Sequence, residues 1–486
     1  MRSRRGLAFA LAAGIGTGVA ASEIRRRSGA RATRTAQLAV VGSRAGGSYA
    51  VHRARRVFAD AGRRDELDAR FQLKTAEQVA ETLGHMKGAV MKLGQMASYL
   101  DQGLPEPVRE ALAQLQQDAP SMSGELAAGV IEQELGRPPH ELFAEWDPVP
   151  IASASIGQVH RAMTHDGRAV AVKVQYPGID DAIRGDMANA GVLFQMMGML
   201  FPGLEPGPLV EELRTRLIEE LDYELEARNQ RLFSAYYAGH PFVHVPEVVD
   251  ELSTARVLTT ELAVGARFDE LRDWSQDERD LAGETIYRFV FRSLYRLHAF
   301  NGDPHPGNYL FRPGGQVTFL DFGLVKRFDR HEVQVFTDMV QSMVVEQDAA
   351  RFRRIIEDVG LLAPGQDFTD AEVEDYFGHF YEVVREDADM TMTQEYASES
   401  VRRVFDASGP YGKIMKAANV PPSFVIIQRI NLGLYAVLGE LGATANWHRI
   451  ASELWPFVDA PPSTPLGERE AEWAHGRATE EPIAPA

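Results

Sequence analysis

Cysteine is missing from all 486 residues, which rules out disulfides, thiolate metal sites and cysteine nucleophiles while fitting either redox compartment. Lysine is scarce: only Lys74, Lys87, Lys92, Lys173, Lys326, Lys413 and Lys416 occur. Arginine therefore carries most of the basic charge, and a lysine inside a motif stands out. A broad basic surface is lacking too, since the formal net charge is -18, and this argues against nucleic acid as a partner. Long apolar runs are also wanting. Gly6 to Ala21 falls slightly short of the ~20 residues of a spanning helix, and Gly14, Gly16 and Gly18 weaken it. Toward the C-terminus, Arg429 and Glu440 interrupt the best candidate. Acids are rare at the start of the chain: between Met1 and Arg56, Glu23 is the sole acid among many arginines.

What is present is long enough for two or more lobes. Residues 1–60 read as a basic, weakly apolar leader suited to an anionic membrane surface, each basic group adding about 1 kcal/mol when close to it. A cleaved export signal is the alternative, because Arg4-Arg5 precedes the apolar run and the small-residue Val19-Ala20-Ala21 ends it. Residues 61–145 read as a helical extension. Val79, Leu83, Met86, Val90 and Leu93 make its stripe, with Lys92-Leu93-Gly94-Gln95 on the same helix and a further helix over 124–135. A strand-rich segment, 146–262, and a mostly helical one, 263–458, follow. The last stretch, 459–486, is rich in Pro, Glu and Ala and is expected to be disordered.

The chemistry-bearing motifs lie in the two middle segments. Asp303-Pro304-His305-Pro306-Gly307-Asn308 has an Asp and an Asn at the spacing of a phosphoryl-transfer loop, and Asp321-Phe322-Gly323 follows a short apolar strand, 317–320. In such a loop the Asp takes the proton of the attacking hydroxyl, while the Asn and the second Asp hold metal on the phosphates. Upstream, Ile286, Phe289, Val290, Leu294 and Leu297 mark a buried helix. Taken alone, the loop is equally readable as a Pro/Gly-rich surface turn; the following Asp-Phe-Gly tips the balance. Val170-Ala171-Val172-Lys173 reads as a strand whose Lys pairs with phosphates, preceded by a small-residue stretch from Ile151 to Gln158 that lets backbone approach them. An acidic helix spans 208–235; most of its carboxylates fit a solvated face, and one is needed to orient the strand Lys. Strands follow near 243–246 and 257–262. Beyond Lys326, helices are expected near 330–346, 349–357, 369–387, 398–406, 422–441 and 446–457.

In this order the motifs resemble the UbiB/ADCK (AarF-type) family of atypical kinases over roughly residues 70 to 445. The residues that carry the likeness are Lys92-Leu93-Gly94-Gln95, the alanine- and serine-rich loop at 152–158, Tyr176-Pro177-Gly178 and Glu220-Leu221-Asp222. The resemblance implies an α+β, bilobal protein-kinase-like fold with a helical N-terminal extension covering the active site. It also implies ATP and Mg²⁺ as cofactors, with Asp303, Lys173, Glu226 and Lys92 as catalytic residues. Nucleotide contacts would come from Ala152, Ser153, Ala154, Ser155, Ile156, Gly157 and Lys173. Backbone groups of Thr260, Glu261 and Leu262 would cradle the adenine, and Asn308 and Asp321 would bind the metal. Arg429 aligns with a motif arginine of the C-terminal lobe. Activity is expected to be ATP hydrolysis or phosphoryl transfer to a small or lipid-linked acceptor in isoprenoid quinone or other lipid metabolism. A nucleotide-binding scaffold and a small-molecule kinase are the alternatives. Partners would be the nucleotide, a lipid or quinone-precursor ligand and an anionic membrane at the cytoplasmic face. The oligomeric state stays open, a homodimer included.

Overall fold

The computed structural model describes residues 122–153, 156–180, 218–302, 304–405, 409–419 and 422–477. The basic leader, the helix expected to carry Lys92, and residues 478–486 lie outside the described residues. The chain divides into two compact units, and nearly all described residues belong to the one built from 96–105, 120–177 and 219–486.

Ser123 accepts a hydrogen bond from the Leu126 N–H and starts α1 (Gly124–Leu135); Gly136, at φ 75°, ends it in the left-handed conformation that suits glycine. Ala127, Val130 and Ile131 of α1 share a core with Val170, Val172 and Val174. The boundary expected at residue 145 is therefore corrected: α1 belongs with the strands it covers. Those strands are β1 (Glu145–Ser153), β2 (Gly157–Met163), β3 (Ala169–Gln175) and β5 (Val257–Glu261), antiparallel in the order β1-β2-β3-β5. Alternation along β3 buries Val170, Val172 and Val174 on one face and so turns Ala171 and Lys173 to the other.

The acidic helix is not continuous over 208–235. Leu221 sits in a turn, and the Asp222 carboxylate accepts from the Leu225 N–H at 3.0 Å, so a new helix, α2 (Tyr223–Tyr236), starts there. Asp competes locally with helix hydrogen bonding and favours such starts, which a count of acidic residues does not reveal.

In the C-terminal lobe, α3 (Gln276–Arg292) is the buried helix expected from its apolar stripe, with Ile286, Phe289 and Val290 inward. Its last turn widens over Ser293–Leu297, and His298, at φ 49°, turns the chain into β6 (Ala299–Asn301). β7 (Tyr309–Arg312) and β8 (Gln316–Phe319) form a hairpin, and β4 (Val243–His244) joins β8 in parallel. β9 (Val325–Arg327) returns to pair with β6, so strands bracket both the 303–308 loop and Asp321. Helices complete the lobe: α4 (Arg330–Val340), α5 (Ala349–Asp358), α6 (Asp370–Phe377), α7 (Gln394–Phe405), α8 (Pro422–Leu441) and α9 (Trp447–Leu454). The helix expected over 369–387 divides into α6 and a tighter turn, His379–Val384. Arg429 falls within α8.

The expectation of disorder over 459–486 is corrected for its middle. Thr464 caps α10 (Pro465–His475), whose Leu466 and Glu470 are each 1 % exposed. Composition hides this because the helix owes its place to partners far away in sequence. Glu470 accepts from Arg288 at 2.9 Å and from Arg292 at 2.7 Å, both on α3. Among the described residues no helix is long and apolar enough to cross a membrane.

Candidate active site

Lys173 leaves β3 toward a cleft of about 750 Å³. Its Nζ donates to both Glu226 oxygens, at 2.8 and 2.9 Å, and stands 3.7 Å from an Asp321 oxygen. Glu226 lies on α2 and is 3 % exposed. Three elements distant in sequence thus deliver one cation and two carboxylates to one point. Burial pushes the Glu226 carboxyl up, to about 7, against the pull of Lys173, and Asp321 pushes it further the same way. Burial opposes the Lys173 ammonium, but Glu226 and Asp321 outweigh it and hold its pKa well above the ordinary value.

Asp321 is fixed at both ends. Its carboxylate accepts from the Gly323 N–H at 2.9 Å, and its carbonyl accepts from the Asn301 amide at 2.7 Å. Phe322, fully buried, packs on Phe233 of α2 with ring centres 4.9 Å apart. Asn229, one turn beyond Glu226, donates to the Phe322 carbonyl at 3.1 Å and ties α2 to this segment. The 303–308 loop ends in a short turn, Pro306–Asn308, closed by the Gly307 N–H donating to His305 Nδ1. Asn308 lies on the same return, its carbonyl accepting from the Leu320 N–H at 3.0 Å.

The expected nucleotide loop is the β1–β2 connection. Ala152 and Ser153 close β1 and line the cleft, and Ile156 is buried. At Gly157 a Cβ would run into the Val174 carbonyl and stand 2.9 Å from the Tyr223 hydroxyl, so only glycine allows this approach. Asp303, Lys92, Ala154 and Ser155 lie outside the described residues, and nothing of their placement enters here. Asp222 caps α2.

The adenine-contact expectation needs one correction. Thr260, Glu261 and Leu262 do line the cleft, but the Glu261 N–H donates to the Glu247 carbonyl and the Leu262 N–H to the Ala169 carbonyl. The donor left on this edge is the Ala263 N–H, which makes no hydrogen bond among the described residues. Strand pairing to Ala169 and Glu247 consumed the others, and sequence carries no sign of that register. Val159, Ala171, Leu258, Leu310 and Leu320 supply the cleft's apolar walls, as a flat heterocycle needs. Tyr223, Asn229, Asn301 and Ala263 were all missed from sequence. Tyr223 and Asn229 had a signal, since each is three residues from Glu226 and shares its helix face.

A Lys–Glu pair facing an Asp-Phe-Gly carboxylate across a two-lobed cleft defines a protein-kinase-like site. The ABC1 atypical kinase-like domain matches residues 114–356, and the chain belongs to that family of atypical kinases, the UbiB family. It is 35 % identical over 303 residues to "Atypical kinase COQ8B, mitochondrial" of Rattus norvegicus, covering 62 % of this chain and 57 % of that protein. It is 28 % identical over 377 residues to "Atypical kinase coq-8, mitochondrial" of Caenorhabditis elegans, covering 76 % of this chain and 49 % of that one. The chain thus spans about half the length of the curated relatives it matches. Among solved structures it is similar to a complex of Rv3197 with erythromycin from Mycobacterium tuberculosis, at 32 % identity and TM-score 0.59, covering 81 % of this chain and 98 % of that one.

The residues present fit a magnesium nucleotide. The cleft combines apolar walls with the Lys173 ammonium, with glycine where the loop closes. Among the described residues no group of three or more His, Asp or Glu side chains forms a metal cage. Mg²⁺ held by one or two protein oxygens together with phosphates requires none.

Proposed function

We propose that the chain binds Mg-ATP in this cleft and uses it for hydrolysis or for phosphoryl transfer to a small or lipid-linked acceptor. The setting would be isoprenoid quinone or other membrane-lipid metabolism. The observation that carries the reading is the Lys173–Glu226 pair with Asp321 3.7 Å from the same ammonium. Lys173 would hold phosphate oxygens and Glu226 would fix Lys173, leaving Asp321 and Asn308 to hold the metal. When bound, Mg²⁺ neutralises the charge that builds on the transferred phosphoryl group. Asp303 would accept the acceptor's proton, and Lys92 would stand over the site. Glu261 C=O and Ala263 N–H are suited to the adenine edge. The names of the relatives, atypical kinases among them, support the same reading.

Asp321→Asn tests it. The variant should fold, yet the rise in melting temperature that Mg-ATP gives the wild type should be largely abolished, because losing a metal-bound charge removes several kcal/mol. An undiminished rise in the folded variant would sink the assignment. Wild-type binding with no turnover in the presence of lipid or quinone precursors would favour a nucleotide-dependent scaffold instead.

A further inference from the structure

His305 stands in the middle of the 303–308 loop and has no task in the scheme above. It lines the same cleft as Lys173 and Glu226 and is half-buried there. Its two ring nitrogens are not equivalent. The Gly307 N–H, which can only donate, lies 3.0 Å from Nδ1. Nδ1 is therefore the acceptor, and in the neutral ring the proton sits on Nε2. That N–H makes no hydrogen bond among the described residues. A Cβ at residue 307 would stand 3.1 Å from Nδ1 and 3.4 Å from Cε1, so a larger residue would press the ring off its seat. The turn thus spends one nitrogen on holding the ring and leaves a single donor, Nε2–H, for whatever fills the cleft.

We infer that the Nε2–H of His305 donates a hydrogen bond to the terminal phosphate of bound ATP. The inference rests on the nucleotide reading above and adds to it a phosphate-contacting residue. A group that can only donate suits phosphate oxygens, which only accept. Sequence position narrows the choice among the phosphates. His305 lies two residues after Asp303, assigned to the acceptor's proton, and three before Asn308, assigned to the metal. The group that passes between the acceptor and the metal-bound leaving oxygen is the terminal phosphoryl. The loop belongs to the C-terminal lobe and Lys173 to the strand sheet, so that group would be held from two sides of one cleft. A neutral donor adds direction there without repeating the charge that Lys173 supplies.

The test is His305→Asn in the full chain, with binding of a non-hydrolysable Mg-ATP analogue, Mg-ADP and adenosine followed by calorimetry. An Asn side chain accepts from the backbone N–H two residues on, so the variant keeps the Gly307 contact and loses only the Nε2 donor. The melting temperature without nucleotide should therefore stay level. The analogue should bind about tenfold more weakly, the value of a hydrogen bond to a charged acceptor. Mg-ADP and adenosine, which lack the terminal phosphate, should bind unchanged. His305→Gln does the reverse, placing an amide N–H near the position of Nε2 while the turn loses its acceptor. It should hold the analogue's affinity within about threefold and lower the melting temperature. Analogue affinity lost in His305→Gln but not in His305→Asn would overturn the inference and make His305 a brace of the turn. An equal loss for Mg-ADP and the analogue in His305→Asn would overturn it as well. Binding that Lys173→Ala weakens and His305→Asn does not would overturn it and leave the nucleotide reading standing. No nucleotide binding by the wild type would remove both.

Discussion

Two buried ion networks in this chain use similar groups to different ends. Under α10, Arg288 is fully buried; it donates to Glu284 at 2.7 Å and to Glu470 at 2.9 Å and stands 2.8 Å from a Glu453 oxygen, while Arg292 donates to Glu470 as well. His240 meets the same Glu470 at 3.4 Å. In the cleft, Lys173 is 19 % exposed and Asp321 32 %, around a Glu226 buried almost as fully as Glu470. In the sealed network, arginine's planar fork reaches three carboxylates at once and no charge faces solvent. In the cleft network a lysine holds one carboxylate and leaves an open side, where a phosphate could replace water. The carboxyl pKa values follow. Burial disfavours ionised Glu470, yet Arg292, His240 and Arg288 outweigh it and hold its carboxyl far below the usual range. Glu226, with a single cation, is raised to about 7. The sealed network is built to stay as it is, and the cleft network to accept a further charge.

The harshest way to break this contrast is to remove the cation from each. Arg288→Met removes the cation that three buried carboxylates share and should cost about 3–5 kcal/mol, the usual penalty for breaking a buried ion pair from one side. Lys173→Met should cost under about 2 kcal/mol, because Glu226 can take up a proton and Asp321 reaches water. Urea unfolding of the two variants checks it. Equal losses would make the Lys173–Glu226 pair a structural lock like the other.

That contrast also marks what was legible in the sequence. Lys173, Asp321 and Asn308 stand out through short motifs whose spacing is that of the chemistry proposed for them. The buried helix before the loop and the strand before Asp321 were readable because apolar periodicity is local. The α10 cluster was not. Glu470 sits in a Pro/Glu/Ala-rich tail, and its partners Arg288 and Arg292 lie about 180 residues away on a helix whose apolar stripe does not single them out. The break at Asp222 and the spent N–H groups of Glu261 and Leu262 escaped for a related reason. Each depends on a hydrogen bond whose partner the local pattern does not name.

A second, smaller effect should have opposite signs in the two networks. Glu226 has its folded pKa raised from 4.5 to about 7, so its contribution is fully present below pH 4.5 and is lost as pH rises through about 7. Glu470 is lowered from 4.5, so its contribution is present above pH 4.5 and is lost as pH falls toward strongly acid values. Measured against Glu226→Gln, wild-type stability should therefore fall between pH 5 and 8. Measured against Glu470→Gln, it should hold over that range and fall below pH 4.5. Each change is expected to be on the order of 1 kcal/mol or more. Lys173, raised above its usual value, stays charged throughout and leaves the signs alone. Parallel slopes for the two variants would mean that the cleft carboxylate is held as firmly as the sealed one.

The smallest expected change in stability belongs to Gly433, and it separates the regions most finely. Gly433 lies within α8, buried, where an added Cβ would collide with the ring of Pro304, the residue after Asp303. Alanine gains about 1 kcal/mol over glycine inside a helix, and the collision offsets that gain, so Gly433→Ala should unfold within about 1 kcal/mol of the wild type. The strain falls on the 303–308 loop instead. β6 and β7 anchor that loop at both ends, so Pro304 can yield only by moving its neighbours. A misplacement of an ångström near the chemistry can cost up to about 100-fold. Turnover of ATP should therefore fall about tenfold or more, while Mg-ADP affinity, which under the proposed function rests on Lys173 and the β1–β2 loop, stays within about threefold. Unchanged turnover would show that the proline ring shifts without dragging the loop, making α8 a packing wall for the sealed side of the lobe. Lost affinity with intact turnover would place the nucleotide's phosphates nearer to α8 than Lys173 allows.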